Sequence, residues 1–232
     1  MSNFFVSSIG KKFVMGVSGI FLVLFLCVHL LLNSFLLIPD GGELFNAGAH
    51  FMTTNPLIKV IEPVLALGFI IHIFWGSMLT LQNRKARGNA RYASGNKTKN
   101  VSWASKNMFI LGIMLFSFLV LHLAHFWMKM KFTGSDYLTH VTIDIAGVST
   151  QVENAYSLIN YTFSYLWVVI IYVVGSICLG LHISHGVWSG FQTIGLNNKI
   201  WLKRLKFISI AFACLVGFGF SVIAVCQYLL FQ

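Results

Sequence analysis

Five long apolar stretches separated by polar connectors dominate the pattern of this chain. A spanning helix needs about 20 mostly apolar residues, and these stretches are too long and continuous for strands. The pattern therefore predicts an all-α polytopic membrane protein, with a single domain over residues 1–232 and five transmembrane helices. The predicted helices cover residues 13–38, 56–81, 103–130, 161–191 and 205–231.

The composition agrees with a membrane location. Hydrophobic residues make up 57% of the 232 residues and charged residues only 9%, whereas about 25% of a soluble domain is charged. The four cysteines all lie inside apolar stretches and form no CxxC or CxxCH motif. A disulfide framework, a zinc knuckle and a covalently attached c-type haem are therefore not indicated.

The charged residues predict the orientation of the helices. Thirteen of the 16 basic residues lie before the first helix, between the second and third, or between the fourth and fifth. All six acids lie on the opposite side, in its connectors or at its helix ends. Because basic residues accumulate on the cytoplasmic side, we expect the N-terminus inside and the C-terminus outside. Topology thus accounts for the net charge of +10 without nucleic acid, and the basic loops suit anionic lipid or an acidic partner.

Four histidines carry the candidate chemistry. His29, His72, His122 and His182 lie one to a helix, each inside an apolar stretch. A histidine in hydrocarbon is costly, faces the protein interior and needs a partner. Imidazole binds iron, and two imidazoles can hold one haem, so the four histidines predict two haem b groups within the membrane. The alternative is a non-redox transporter with a histidine proton relay.

The four histidines fall at two depths when residues are counted from the basic ends of their helices. His29 and His122 lie about 25 Å from the cytoplasmic end at 1.5 Å per residue. His72 and His182 lie about 15–18 Å from it. The count therefore predicts an outer pair and an inner pair, each drawn from two different helices.

Two glycines and two further histidines bear on the assignment of the four histidines as haem ligands. Gly19 and Gly112 each lie ten residues before the outer histidine of their own helix, near the level of the inner pair, where a glycine lets a flat macrocycle approach the backbone. His125 and His185 each lie three residues after a candidate ligand. Since residues three apart share a helical face, spacing alone does not choose between the neighbours.

The chain resembles the di-haem cytochrome b subunit of succinate dehydrogenase and fumarate reductase, in its five-helix, single-polypeptide form. The resemblance covers nearly the whole chain and includes a Gly-x9-His spacing on the first and third helices. It rests on the segments GIFLVLFLCVHLLLNSF, ELFNAGAHFM, GFIIHIFWG, GIMLFSFLVLHLAHFW and GLHISHGVWSG.

The resemblance implies which histidines bind the haem irons. On the third and fourth helices it selects the earlier histidine over His125 and His185. The implied axial ligands are His29 and His122 for the outer, distal haem and His72 and His182 for the inner, proximal haem.

The resemblance also implies partners and a location. Family members bind a flavoprotein subunit and an iron–sulfur subunit on the cytoplasmic side of a bacterial inner membrane, and they exchange electrons with a quinone, often menaquinone. A higher-order oligomer of the complex is compatible with this. The chain itself has no GxGxxG fingerprint for a flavin domain, so the dicarboxylate site lies on a partner. A cytochrome b subunit of a hydrogenase or formate dehydrogenase is the alternative among respiratory enzymes.

The quinone site is only weakly specified. Glu43, His50 and Glu62 are the titratable residues around the first outer loop and are its candidates. Some family members carry a glutamate two residues before the ligand of the fourth helix, whereas this chain has Gly180. A proton route through a glutamate side chain at this position is therefore in doubt for this chain. Succinate oxidation and fumarate reduction use the same parts, so the sequence gives no direction.

Overall fold

Five membrane-length helices form the body of the protein. The computed structural model describes residues 7–87, 102–196 and 198–230. Arg91, Lys97 and Lys99 of the predicted basic connector lie outside the described residues. The predicted polytopic helical architecture is confirmed. The helices that are long and apolar enough to cross a membrane cover Ile9–Leu37, Pro56–Ala86, Trp103–Thr133, Leu166–Thr193 and Lys199–Leu229.

Seven α-helices and one β-hairpin make up the described part of the chain. A 3-10 turn, Phe35–Leu37, extends α1, and two π-helical segments, Leu123–Trp127 and Lys129–Thr133, extend α4. The elements are α1 Ser8–Ser34, α2 Glu43–Thr54, α3 Pro56–Arg87, α4 Trp103–His122, β1 His140–Ile145, β2 Val148–Glu153, α5 Ala155–Phe163, α6 Leu166–Thr193 and α7 Lys199–Leu229.

Polar side chains start three of the spanning helices at the same end of the bundle. The side chains of Ser7, Ser102 and Asn198 accept hydrogen bonds from backbone N–H groups in the first turns of α1, α4 and α7. Such caps satisfy donors that the helix itself leaves unpaired. We call this the basic end, because the predicted basic clusters flank it.

Short elements cover the opposite end, which we call the hairpin end. There α2 contacts β1, β2 and α5. The buried Asn46 side chain donates to Oδ1 of Asn154 at 3.1 Å and accepts from the backbone N–H of Tyr156 at 2.9 Å. The strands pair antiparallel, from His140 with Glu153 to Ile145 with Val148. The sequence predicted only polar connectors here, because these elements depend on contacts between residues far apart in the chain.

The fourth spanning helix begins later than predicted. The sequence predicted its start at residue 161, but that residue belongs to α5, and α6 begins at Leu166. Tyr165 between them has an extended backbone, with φ −94° and ψ 115°. Leu158, Ile159 and Phe163 of α5 are buried in the core of the hairpin end, so their hydrophobicity serves protein packing rather than membrane crossing.

Close packing joins α6 to α7, the most extensive helix contact in the described bundle. A Cβ at Gly180 would lie 3.0 Å from the carbonyl oxygen of Ala213, and one at Gly217 would lie 3.3 Å from that of Ser176. Small residues of this kind let membrane helices approach closely. α3 instead leans mainly on α1, and it leaves most of its apolar side chains exposed, as a lipid-facing helix does.

Gly42 is the N-cap residue of α2, and its contact with Tyr156 allows a test of the packing at the hairpin end. Its backbone is left-handed, with φ +87°, and a Cβ there would overlap the ring of Tyr156. Gly41 has φ +71° but no atom within 4 Å of its Cβ position. We expect Gly41→Ala to cost roughly 1–2 kcal/mol from the backbone alone. Gly42→Ala should cost clearly more, and equal melting temperatures of the two variants in detergent would contradict this packing.

Candidate functional site

The first predicted pair of histidines meets near the hairpin end. His29 of α1 and His122, the last residue of α4, have ring centres 5.7 Å apart with perpendicular planes. We call them the hairpin-end pair. Aromatic rings pack around this pair. Their ring centres lie 5.1–6.0 Å from one of the two imidazoles and belong to Phe25, Phe118, Phe126, Tyr172 and Phe220.

The second predicted pair lies nearer the basic end. His72 of α3 and His182 of α6 have ring centres 6.2 Å apart, with an angle of 70° between the rings. We call them the basic-end pair. Ser18 on α1 shares a 3.4 Å hydrogen bond with Nδ1 of His72. A Cβ at Gly19 would lie 3.2 Å from Cε1 of His72, and one at Gly112 would lie 4.0 Å from Cε1 of His182.

These glycine contacts place the two pairs at different levels. Gly19 lies beside His72 and ten residues before His29 on the same helix, a separation of about 15 Å along the axis. Gly112 has the same relation to His182 and His122 on α4. The structure therefore brings together the histidines that residue counting paired, and it places each glycine next to the pair of the other level.

The geometry of both pairs fits a metal ion between two imidazoles. A histidine nitrogen binds a first-row metal at about 2 Å, so two ring centres on opposite sides of one ion lie roughly 6 Å apart. The Nδ1 atoms of His122 and His182 are buried without a hydrogen-bond partner in the described part of the chain. No group of three or more metal-binding side chains occurs there. Each pair would present two imidazoles, a set that can hold one haem iron.

The neighbouring histidines contact other aromatic side chains. His125 shares a 3.1 Å hydrogen bond through Nδ1 with the hydroxyl of Tyr172 and stacks on its ring. His185 packs edge-to-face on Trp188 with ring centres 4.9 Å apart, and its buried Nδ1 has no hydrogen-bond partner among the described residues. Neither takes part in the ring contacts that define the two pairs.

Acidic residues do not serve the histidine pairs in the described structure. Its only ion pair joins Lys131 to Glu62 at 2.9 Å, and Nε1 of Trp127 donates to the same carboxylate at 2.7 Å. Glu62 thus ties the start of α3 to the end of the α4 extension. No hydrogen bond or ion pair joins an acid to either histidine pair in the described ranges.

A pocket of about 370 Å³ opens at the hairpin end. Of the three quinone-site candidates only His50 lines it. Glu43 is exposed in the first turn of α2, and Glu62 makes the contacts described above. The sequence did not indicate His140 and Glu153, because only the register of the hairpin brings them to the pocket. The lining residues are Ala49, His50, Thr53, Thr54, Met130, Lys131, His140, Gln151, Val152, Glu153 and Ala155.

The departure at Gly180 has a packing reason. The position lies in the contact between α6 and α7, where a Cβ would already approach the carbonyl oxygen of Ala213 to 3.0 Å. A glutamate side chain would have to displace α7 from α6. This position therefore serves helix packing in this chain.

Comparisons with family models, curated proteins and solved structures gave no match to this chain. The family resemblance therefore stays a prediction from its sequence segments.

The role of Gly180 is tested by two matched alanine variants. Gly186 lies on the same helix but has no atom within 4 Å of its Cβ position. We expect Gly180→Ala to destabilise the protein by about 1–3 kcal/mol through overpacking. Gly186→Ala should be neutral or slightly stabilising, because alanine favours a helix over glycine. Thermal unfolding in detergent measures both, and a Gly180→Ala variant as stable as Gly186→Ala would contradict the proposed contact.

Proposed function

We propose that this chain is the membrane-anchor cytochrome b subunit of a succinate:quinone oxidoreductase, acting as a succinate dehydrogenase or a fumarate reductase. In this function it binds two haem b groups and carries electrons between an iron–sulfur subunit and a membrane quinone, menaquinone by the family resemblance. The dicarboxylate chemistry belongs to the flavoprotein partner. The proposed location is the inner membrane of a bacterium, with the basic end in the cytoplasm.

One observation carries the proposal: two histidine pairs lie about 15 Å apart along the bundle, each with ring centres near 6 Å. Two imidazoles at this spacing could hold one haem iron between them, as histidine pairs do in b-type haem proteins. A single pair would be an ordinary interhelical contact. Two pairs from four helices, with a glycine of the adjacent helix beside each basic-end imidazole, favour two flat cofactors stacked across the membrane.

The side chains around the pairs have roles that follow from their positions. His29 and His122 would hold the outer haem, and His72 and His182 would hold the inner haem. When bound, both haems would supply one-electron chemistry. The phenyl rings around the hairpin-end pair pack against its imidazoles. Ser18 binds Nδ1 of His72 and orients that imidazole, as a hydrogen-bond partner of a ligating histidine does.

The pocket at the hairpin end supports a quinone site close to the outer pair. Met130, which lines it, lies eight residues beyond His122, roughly 12 Å along the axis at the rise of an α-helix. His50 and His140 offer nitrogen groups for a quinone carbonyl or a quinol hydroxyl. Ala49, Met130 and Val152 offer an apolar wall for its ring, a combination typical of small-molecule sites.

The charge distribution supports a soluble partner at the basic end. None of the six acids of the chain lies there, so its lysines and arginines have no carboxylate of this chain to pair with. A partner surface with acidic side chains would complement this charge. Anionic lipid headgroups would share the remaining basic residues.

The haem assignment is tested by absorbance spectra and haem content of the complex purified with its partners. We expect b-type bands in the reduced-minus-oxidised spectrum and two haems per chain. His72→Ala or His182→Ala should remove one haem and leave the other, and His29→Ala or His122→Ala should remove the second instead.

His185→Ala is the matched control, because His185 lies outside both pairs and should keep both haems. Absence of b-type bands from the intact complex would sink the haem assignment. Loss of a haem from His185→Ala, with His182→Ala unaffected, would reverse the ligand choice. Copurification of a flavoprotein with succinate activity separates this proposal from a hydrogenase or formate dehydrogenase subunit.

The quinone pocket is tested by the kinetics of quinol oxidation. His50→Ala removes a hydrogen-bonding group from the pocket and should lower kcat/KM for quinol about tenfold, with unchanged haem content. Glu43→Gln is the control, because this exposed residue does not line the pocket. Equal kcat/KM values for the two variants would remove His50 from the site.

A further inference from the structure

Tyr172 of α6 contacts His125, the histidine three residues after the candidate ligand His122. Its hydroxyl and Nδ1 of His125 share a hydrogen bond of 3.1 Å. The two rings are stacked with centres 5.9 Å apart and planes within 6°. The contact joins α6 to the π-helical extension of α4 through the Nδ1 atom of the imidazole.

The backbone of this extension supports the same arrangement. α4 ends at His122, and the chain continues through the π-helical segment Leu123–Trp127 that contains His125. In an α-helix, residues three apart share a face. The wider π turn changes the angle between them, and such turns occur frequently at functional sites. His125 forms the hydrogen bond with Tyr172. The ring of His122 meets His29 and also lies 6.0 Å from the ring of Tyr172.

The ring of Tyr172 is tightly packed, and its buried hydroxyl needs a hydrogen-bond partner. Tyr172 is only 6% exposed, and the rings of Phe118, Phe126 and Phe163 lie within 6.0 Å of its ring. A buried tyrosine hydroxyl normally finds a hydrogen-bond partner, and His125 supplies it. The surrounding rings prevent Tyr172 from moving away, so the hydroxyl is a rigid anchor for the imidazole.

The basic-end pair has no equivalent device. His185 follows His182 by three residues, as His125 follows His122, but both lie within the α-helix α6. The buried Nδ1 of His185 has no hydrogen-bond partner in the described ranges. Among the described residues, a hydrogen bond to Nδ1 therefore holds His125 at the hairpin end, and His185 at the basic end has no such bond.

We propose that Tyr172 is the specificity-determining residue of the hairpin-end pair: by binding His125, it reserves the ligand position opposite His29 for His122. This inference rests on the proposed function, since it concerns which imidazole serves the outer haem. Tyr172 is a positioning residue, because it acts through His125 and not on the iron.

The first experiment measures the retention of His125 without reference to haem. Diethyl pyrocarbonate modifies accessible imidazoles, and mass spectrometry of the treated complex reports each histidine. Tyr172→Phe keeps the ring and removes the hydroxyl, so the rate of modification of His125 should rise about fivefold. The exposed His140 serves as the internal standard. Tyr165→Phe, which removes an exposed hydroxyl that binds Tyr161, should leave the rate unchanged.

The second experiment asks whether the released histidine replaces the ligand. His122→Ala should abolish the low-spin electron paramagnetic resonance signal of the outer haem. His122→Ala/Tyr172→Phe should regain a low-spin signal, and the further change His125→Ala should remove it again. His122→Ala/Tyr165→Phe is the matched control and should stay without the signal.

The outcomes separate this inference from the proposed function. An unchanged modification rate of His125 in Tyr172→Phe overturns the inference, whatever the haem content. The inference is also overturned if the wild-type complex contains two haems but His122→Ala/Tyr172→Phe does not regain the low-spin signal. The proposed function then stays intact. A wild-type complex without haem overturns the proposed function and, with it, the ligand role on which the inference rests.

Discussion

The close contact between α6 and α7 is the interaction on which the rest of the bundle depends. Gly180 and Gly217 let the two backbones approach within ordinary contact distance. In lipid, such small residues replace the hydrophobic effect as the source of helix association. α6 also contacts α1 and α4, so its position determines where His182 and Tyr172 stand, one at each level of the site.

Several polar side chains inside this apolar frame join elements that are far apart in the chain. Asn46 and Asn154 join α2 to α5, and the buried Gln227 donates to the carbonyl oxygen of Leu36 at 2.8 Å, which ties the end of α7 to the end of α1. His122, His182 and His185 each have a buried Nδ1 atom without a hydrogen-bond partner in the described structure. Only His122 and His182 among these three also face a second imidazole, and for that reason these two are interpreted as ligand positions.

Much of the fold followed from hydropathy, and the exceptions have physical reasons. Most ends of the five spans were predicted within a few residues, because the bilayer sets the length that a membrane helix needs. The start of the fifth was wrong, because α7 begins at Lys199, six residues before the predicted residue 205. The start of α6 was displaced because α5 is apolar but packs against protein. The hairpin was not predicted, because its strands are short and owe their stability to pairing and to contacts with α2.

By itself, the sequence determined which histidines share a level, because the rise of a helix is constant and charge orders its ends. His29 and His122 could be matched by counting residues, without knowing which helices touch. Only the tertiary structure decided the rest: the aromatic rings around the hairpin-end pair, the pocket that joins His50 to His140, and the bond between Tyr172 and His125. These depend on how each helix is rotated and how closely it packs, and the order of residues along one helix does not specify either.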